Sequence, residues 1–149
     1  MLTGTYLRSL DDKLRVAIPK GLRAEDSAPG DDALYVTPGT DGCLAVYTPA
    51  ALAAVAKRLD DAAPHGAAGR TFARLFYAQA QRVELDGQGR VRLPAELATA
   101  AQLAGEIVIL GVQDHLELWN AERWRGYLEQ QRPRYDELAE AAFQTPPSS

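Results

Sequence analysis

The chain has 149 residues, of which 46% are hydrophobic and 24% charged, and no apolar run is long enough to cross a bilayer. Cys43 is the only cysteine, so a disulfide framework and a cysteine-based zinc site are both excluded. The net charge is −4 and the isoelectric point about 5.2, which by themselves argue against a nucleic-acid partner. The charge is unevenly placed, however. Residues 1–23 hold five basic and two acidic side chains, whereas residues 114–149 hold four basic and seven acidic ones. The N-terminus lacks the basic start and apolar stretch of a signal peptide, so a cytoplasmic protein without a membrane segment is expected.

In chain order, residues 6–10 and 14–18 read as strands of a first hairpin, joined at Asp11 to Lys13. Along the second of them Val16 and Ile18 point one way and Arg15 the other. Pro19 ends that strand and fits the first turn of a short helix through Leu22. A second hairpin turns at Gly39 to Gly42, with Leu34-Tyr35-Val36 before it and Leu44-Ala45-Val46-Tyr47 after it. Thr48 can cap a helix over 49–59 with Pro49 at its first position. A Gly/Ala-rich loop over 62–69 leads to a linking helix from Arg70 to about Ala80, where Phe72, Leu75 and Phe76 form an apolar stripe.

The same order then recurs. Leu85-Asp86-Gly87-Gln88-Gly89-Arg90-Val91-Arg92-Leu93-Pro94 repeats Leu10-Asp11-Asp12-Lys13-Leu14-Arg15-Val16-Ala17-Ile18-Pro19. Glu106-Ile107-Val108, Gly111 and Leu116-Glu117-Leu118-Trp119 answer Leu34-Tyr35-Val36, Gly39 and Leu44-Ala45-Val46-Tyr47, with the second turn at Gly111 to His115. Asn120 can cap a helix over 121–131 carrying Trp124, Tyr127 and Leu128 as a stripe, Pro133 interrupts it, and 134–143 resumes it. The chain therefore divides into a first repeat (4–49), a helical linker (50–80), a second repeat (81–121), C-terminal helices (122–143) and a disordered tail (144–149).

The repeated element with chemical content is Asp-x-x-x-Arg: Asp11 with Arg15, and Asp86 with Arg90. A single copy reads as a turn-stabilising Asp and a solvated Arg. Two copies at one place relative to strand and proline weigh differently, because turn and strand ask nothing of an outward-facing Arg. Arginine is the side chain best matched to phosphates and to the O6/N7 edge of guanine. Arg15 and Arg90 are therefore candidate DNA contacts, with Asp11 and Asp86 fixing the turn or orienting the guanidinium. His65, in the Gly/Ala loop, and His115, in a turn, read as exposed polar residues, and Cys43 as a small buried filler. No nucleophile, base or metal cluster points to an enzyme, and no cofactor or metal is expected.

These motifs, together with Asp41-Gly42-Cys43-Leu44-x-Val46-Tyr47 and Gly111-Val112, resemble the MraZ family over about residues 4–127. The resemblance implies an α+β, strand-rich fold: a pseudo-symmetric swapped-hairpin, or double-split, β-barrel made from two AbrB/SpoVT-like repeats with peripheral helices. It implies a transcriptional regulator, not an enzyme, that binds double-stranded DNA at short direct repeats in the promoter of the division and cell-wall gene cluster. It further implies a ring-shaped homo-oligomer associated with the nucleoid. Arg15 and Arg90 become the DNA-contacting arginines with Lys13 alongside, and Arg8, Gln88 and Arg92 complete the candidate set. The family usually has Gly where this chain has Leu14, so a different turn is expected in the first copy. The alternatives are a ring-forming interaction protein whose DNA face has decayed, and an antitoxin-like DNA-binding protein.

Overall fold

A computed structural model describes residues 1–24, 33–62 and 66–144; the expected tail from Thr145 onward and His65 lie outside the described residues. The strands are β1 (Thr5–Ser9), β2 (Arg15–Ala17), β3 (Ala33–Pro38), β4 (Leu44–Tyr47), β5 (Gln81–Glu84), β6 (Arg90–Arg92), β7 (Glu106–Val112) and β8 (His115–Asn120). The helices are α1 (Lys20–Ala24), α2 (Pro49–Asp61), α3 (Ala67–Gln79), α4 (Ala95–Ala100), α5 (Ala121–Gln131) and α6 (Tyr135–Phe143), with a 3-10 turn at Arg132–Arg134 between the last two. The fold is thus mixed α+β and rich in antiparallel strands.

Helix starts follow their caps. The Thr48 hydroxyl accepts from the Ala51 N–H at 3.1 Å, and the Asn120 side chain accepts from the N–H groups of Glu122 and Arg123 at 2.9 and 3.1 Å. Pro133 sits in the 3-10 turn, where its missing N–H ends the α5 ladder. The linking helix α3 begins at Ala67, three residues before the expected Arg70, because the Ala-rich end of the loop has high helix propensity.

Six strands form one sheet in the order β1-β7-β8-β4-β3-β5, and β2 and β6 form a separate two-stranded ribbon. This corrects the first hairpin of each half. The turns at Asp11 and Asp86 close, with backbone bonds Asp11 N–H to Arg15 C=O (3.1 Å) and Asp86 N–H to Arg90 C=O (2.8 Å), but the strands flanking them do not pair with each other. β1 pairs with β7, β5 with β3, and β2 with β6. The second hairpins, β3–β4 and β7–β8, do pair internally.

Pairing also shifts the comparison of the two halves by one residue. Leu34 lies opposite Val83 and Ile107 opposite Arg8, while Tyr35 pairs with Tyr47 and Val108 with Trp119. Leu34 therefore answers Ile107, not Glu106, and Pro38, not Gly39, answers Gly111. A one-residue slip would reverse the buried and exposed faces, so burial decides the register: Leu34 and Ile107 are both buried and Glu106 is exposed. Gly111 belongs to β7, and the turn that follows contracts to Gln113 and Asp114, with Gln113 at φ 63°.

One face of the sheet and the inner face of the ribbon share a core. Val36, Val46, Ile107, Ile109, Leu116 and Leu118 meet Val16, Ile18, Val91 and Leu93 there. Val16 and Val91 are both 0% exposed, worth roughly 1.5–3 kcal/mol each in burial. The other face is covered by α2 and α3 over β3 and β4, and by α5 over β7 and β8, where Trp119 packs edge-on against Trp124.

Candidate nucleic-acid interface

Each Asp-x-x-x-Arg copy folds into the same unit. In the first, Asp11 Oδ1 accepts from the N–H groups of Lys13 (2.9 Å) and Arg15 (2.8 Å), and Oδ2 accepts from Arg15 Nε at 2.7 Å. In the second, Asp86 Oδ1 accepts from Gln88 (2.8 Å) and Arg90 (3.0 Å), and Oδ2 from Arg90 Nε at 3.0 Å. One carboxylate thus closes the turn and aims the guanidinium. The Arg15 backbone N–H, with the Arg15 side chain and the Lys13 N–H after it, holds the Asp11 carboxyl below its ordinary range against the opposing effect of burial. The Arg90 backbone N–H leads the same effect at Asp86.

The expectation of a different first turn is corrected. Leu14 has φ 61° and Gly89 φ 75°, and their N–H groups both bond back to the Asp carbonyl at 3.0 Å. Leucine in this left-handed conformation costs roughly 1–2 kcal/mol relative to glycine. The packing of its side chain against the core offsets that cost.

The ribbon brings the two units together. Its register is Arg15 opposite Arg92, Val16 opposite Val91 and Ala17 opposite Arg90. Cross-strand partners share a face, as do residues two apart on one strand. Arg15, Arg90, Arg92 and Ala17 therefore occupy one face, and the two buried valines the other. Arg15 and Arg90 side chains are 33% and 28% exposed, and Arg90 Nη1 also lies 4.0 Å from Asp11 Oδ2. Their Nε atoms are engaged, while the terminal nitrogens make no hydrogen bond among the described residues. Like charges placed directly opposite on a ladder are unfavourable, so packing alone gives no reason for Arg15 to face Arg92.

Of the other candidates, Lys13 and Gln88 are exposed at the turn tips and Arg92 is exposed on the ribbon. Arg8 lies apart from the ribbon on β1, where its guanidinium sits 5.5 Å from the Tyr6 ring centre and donates to the Leu7 carbonyl at 2.8 Å. Among the described residues no group of three or more His, Cys, Asp or Glu is placed to hold a metal ion, and no helix is long and apolar enough to cross a membrane.

Two readings outside this face change or sharpen. His115 is not an exposed turn residue: it opens β8 with its side chain 17% exposed. Its Nδ1 lies 2.7 Å from Asp114 and its Nε2 3.2 Å from Glu117, and Glu117 also accepts from Trp119 Nε1 at 3.1 Å. The hydrogen bond to Glu117, helped by Asp114 and opposed by burial, raises the imidazole pKa above its ordinary value. The acids flanking His115 in sequence were the available signal. Cys43 is buried as expected, and burial pushes its thiol up to about 12.

A family model described as "MraZ protein, putative antitoxin-like" matches residues 76–145. Relatives named "Transcriptional regulator MraZ" match both halves. The protein of Halothermothrix orenii is 36% identical over 95% of this chain and 96% of its own length. That of Limosilactobacillus fermentum is 39% identical over 93% and 94%, and that of Saccharopolyspora erythraea 37% identical over 94% and 95%. With identity of this order over nearly all of both sequences, this chain belongs to the MraZ family.

Proposed function

We propose that this chain is a DNA-binding transcriptional regulator, not an enzyme, and that the β2–β6 ribbon is its reading head. The observation that carries the proposal is three arginines on one face of a two-stranded ribbon whose other face is two fully buried valines. The major groove admits a two-stranded ribbon, and arginine pairs with guanine there at about 1–3 kcal/mol of discrimination per contact. Asp11 and Asp86 hold the guanidinium groups of Arg15 and Arg90 ready, lowering the ordering cost of binding. Lys13, Gln88 and Arg92 complete the face, and Arg8 acts from β1. The naming of the relatives as transcriptional regulators supports this reading.

The finer parts of the proposal are a swapped-hairpin barrel formed by the two repeats, direct repeats in the division and cell-wall promoter as the target, and a ring-shaped homo-oligomer on the nucleoid. Phe72, Leu75 and Tyr77 on α3, 49%, 56% and 46% exposed, offer an apolar surface for self-association. A ring would engage several repeats at once and multiply weak contacts.

Fluorescence anisotropy on a duplex with several spaced G-rich repeats, in rising salt, tests the reading. The expected result is tight, salt-sensitive binding that weakens roughly 5- to 150-fold in Arg15→Ala and in Arg90→Ala. Binding that is absent, or unchanged in both variants, would leave a ring-forming interaction protein as the better account.

A further inference from the structure

The ribbon has a twofold backbone and a one-sided set of side chains. Its register centres on Val16 opposite Val91, so a half-turn there exchanges Arg15 with Arg90 and Ala17 with Arg92. Both turns have the same hydrogen bonds, so the backbone presents the two halves alike. The side chains do not match. Arg92 stands where the other half has Ala17, Gln88 where it has Lys13, and Gly87 where it has Asp12. Three of the four corners of the exposed face carry arginine and the fourth carries alanine.

B-DNA has twofold axes of its own perpendicular to the helix. A ribbon with true twofold symmetry docks on its backbone equally well in either of two opposed orientations, and it reads palindromes. Removing one corner arginine makes those orientations unequal, because only one of them sets the extra guanidinium over its preferred base. We propose that the chain docks on DNA in a single orientation, and that the Arg92/Ala17 difference is the specificity-determining position that sets this polarity. The inference rests on the DNA reading above and adds direction to it. The Lys13/Gln88 difference at the turn tips acts in the same sense, through phosphate contact on one side only.

The test uses the full chain and a duplex carrying one copy of the G-rich element. Asp12→Cys and Gly87→Cys, at matching places on the two exposed turns, each receive a tethered iron–EDTA group; Cys43 is buried and is spared. The Asp12→Cys protein is expected to cut the duplex on one side of the element, and the Gly87→Cys protein on the other. In Ala17→Arg, which restores the fourth corner, the contrast between the sides falls by about fivefold or more, the value of one arginine–base contact. Arg92→Ala removes the odd arginine and flattens the contrast from the opposite direction, so the test does not depend on either variant alone. Equal cutting on both sides by the parent proteins overturns the single orientation, and one-sided cutting retained in both variants overturns the assignment of polarity to Arg92 and Ala17; either result leaves the DNA reading standing. Absence of binding by the parent chain overturns the DNA reading and this inference with it.

Discussion

The turn at Asp11–Arg15 and the turn at Asp86–Arg90 share every backbone hydrogen bond and differ in all three residues between their ends. The second has two glycines, while the first has Asp12 and Leu14 in their places and still reaches φ 61° at Leu14. The carboxylate at the first position and the arginine at the last are what the two turns have in common. A side-chain acceptor satisfying the N–H groups two and four residues further on therefore specifies this turn, and glycine only makes it cheaper. The turns part company in reach: Asp11 touches its own arginine at 2.7 Å and lies 4.0 Å from Arg90 as well, an ion-pair contact across the ribbon.

The largest expected effect tests whether the ribbon is equally buried on both sides. Val16→Asp and Val91→Asp each place an unpaired carboxylate under the ribbon and are expected to cost about 4 kcal/mol or more in urea unfolding, with similar values for the two. A variant that loses less than about 1 kcal/mol would mean that its half of the ribbon lifts off the core. Next is the glycine. Gly89→Leu copies the first turn into the second and is expected to lower stability by roughly 1–2 kcal/mol, the cost of a left-handed leucine. A neutral result would show that conformational freedom at this position is immaterial.

A smaller difference should separate Asp11→Ala from Asp86→Ala. Both lower the melting temperature, but Asp11→Ala should also weaken DNA binding more, because it releases Arg15 and alters the surroundings of Arg90. Equal losses in anisotropy would show that the 4.0 Å contact has no influence.

The smallest effect lies in pH dependence. Asp11 and Asp86 have folded-state pKa values below their ordinary 3.8, so their stabilisation is complete above that value and is lost as pH falls through the lowered ones. His115 behaves oppositely. Its raised folded-state pKa gives stabilisation that is complete below its ordinary 6.5 and fades as pH rises through the higher value. Thermal unfolding across pH should show both limbs. Asp11→Asn with Asp86→Asn should flatten the acid limb, and His115→Gln the neutral one; a limb unchanged in its variant belongs to other groups.

Much of this molecule was legible because its signals are local. A capping oxygen, a proline and an Asp that bonds its own neighbours act within a few residues. Thr48, Asn120, Pro133 and the two Asp turns therefore stand where the sequence suggests. The enclosure of His115 is not legible in the sequence, because its partners, although close by in the chain, surround it only once β8 has formed. The offset between the halves is hidden in the sequence for a related reason. Leu34 and Ile107 are recognisable as equivalents through their opposite strands, not through their immediate neighbours.

The sequence by itself determined the doubled motif, the turns, the caps and the alternation that buries Val16 and Val91, because each depends on hydrogen bonds and side-chain periodicity within one segment. Only the tertiary structure decided the partners: that β1 crosses to β7, that β5 crosses to β3, and that Arg15 stands opposite Arg92 with Ala17 at the empty corner. Strand pairing is a choice among segments with similar backbones. It is settled by which arrangement buries both halves' apolar faces in one core, a quantity that belongs to the whole chain.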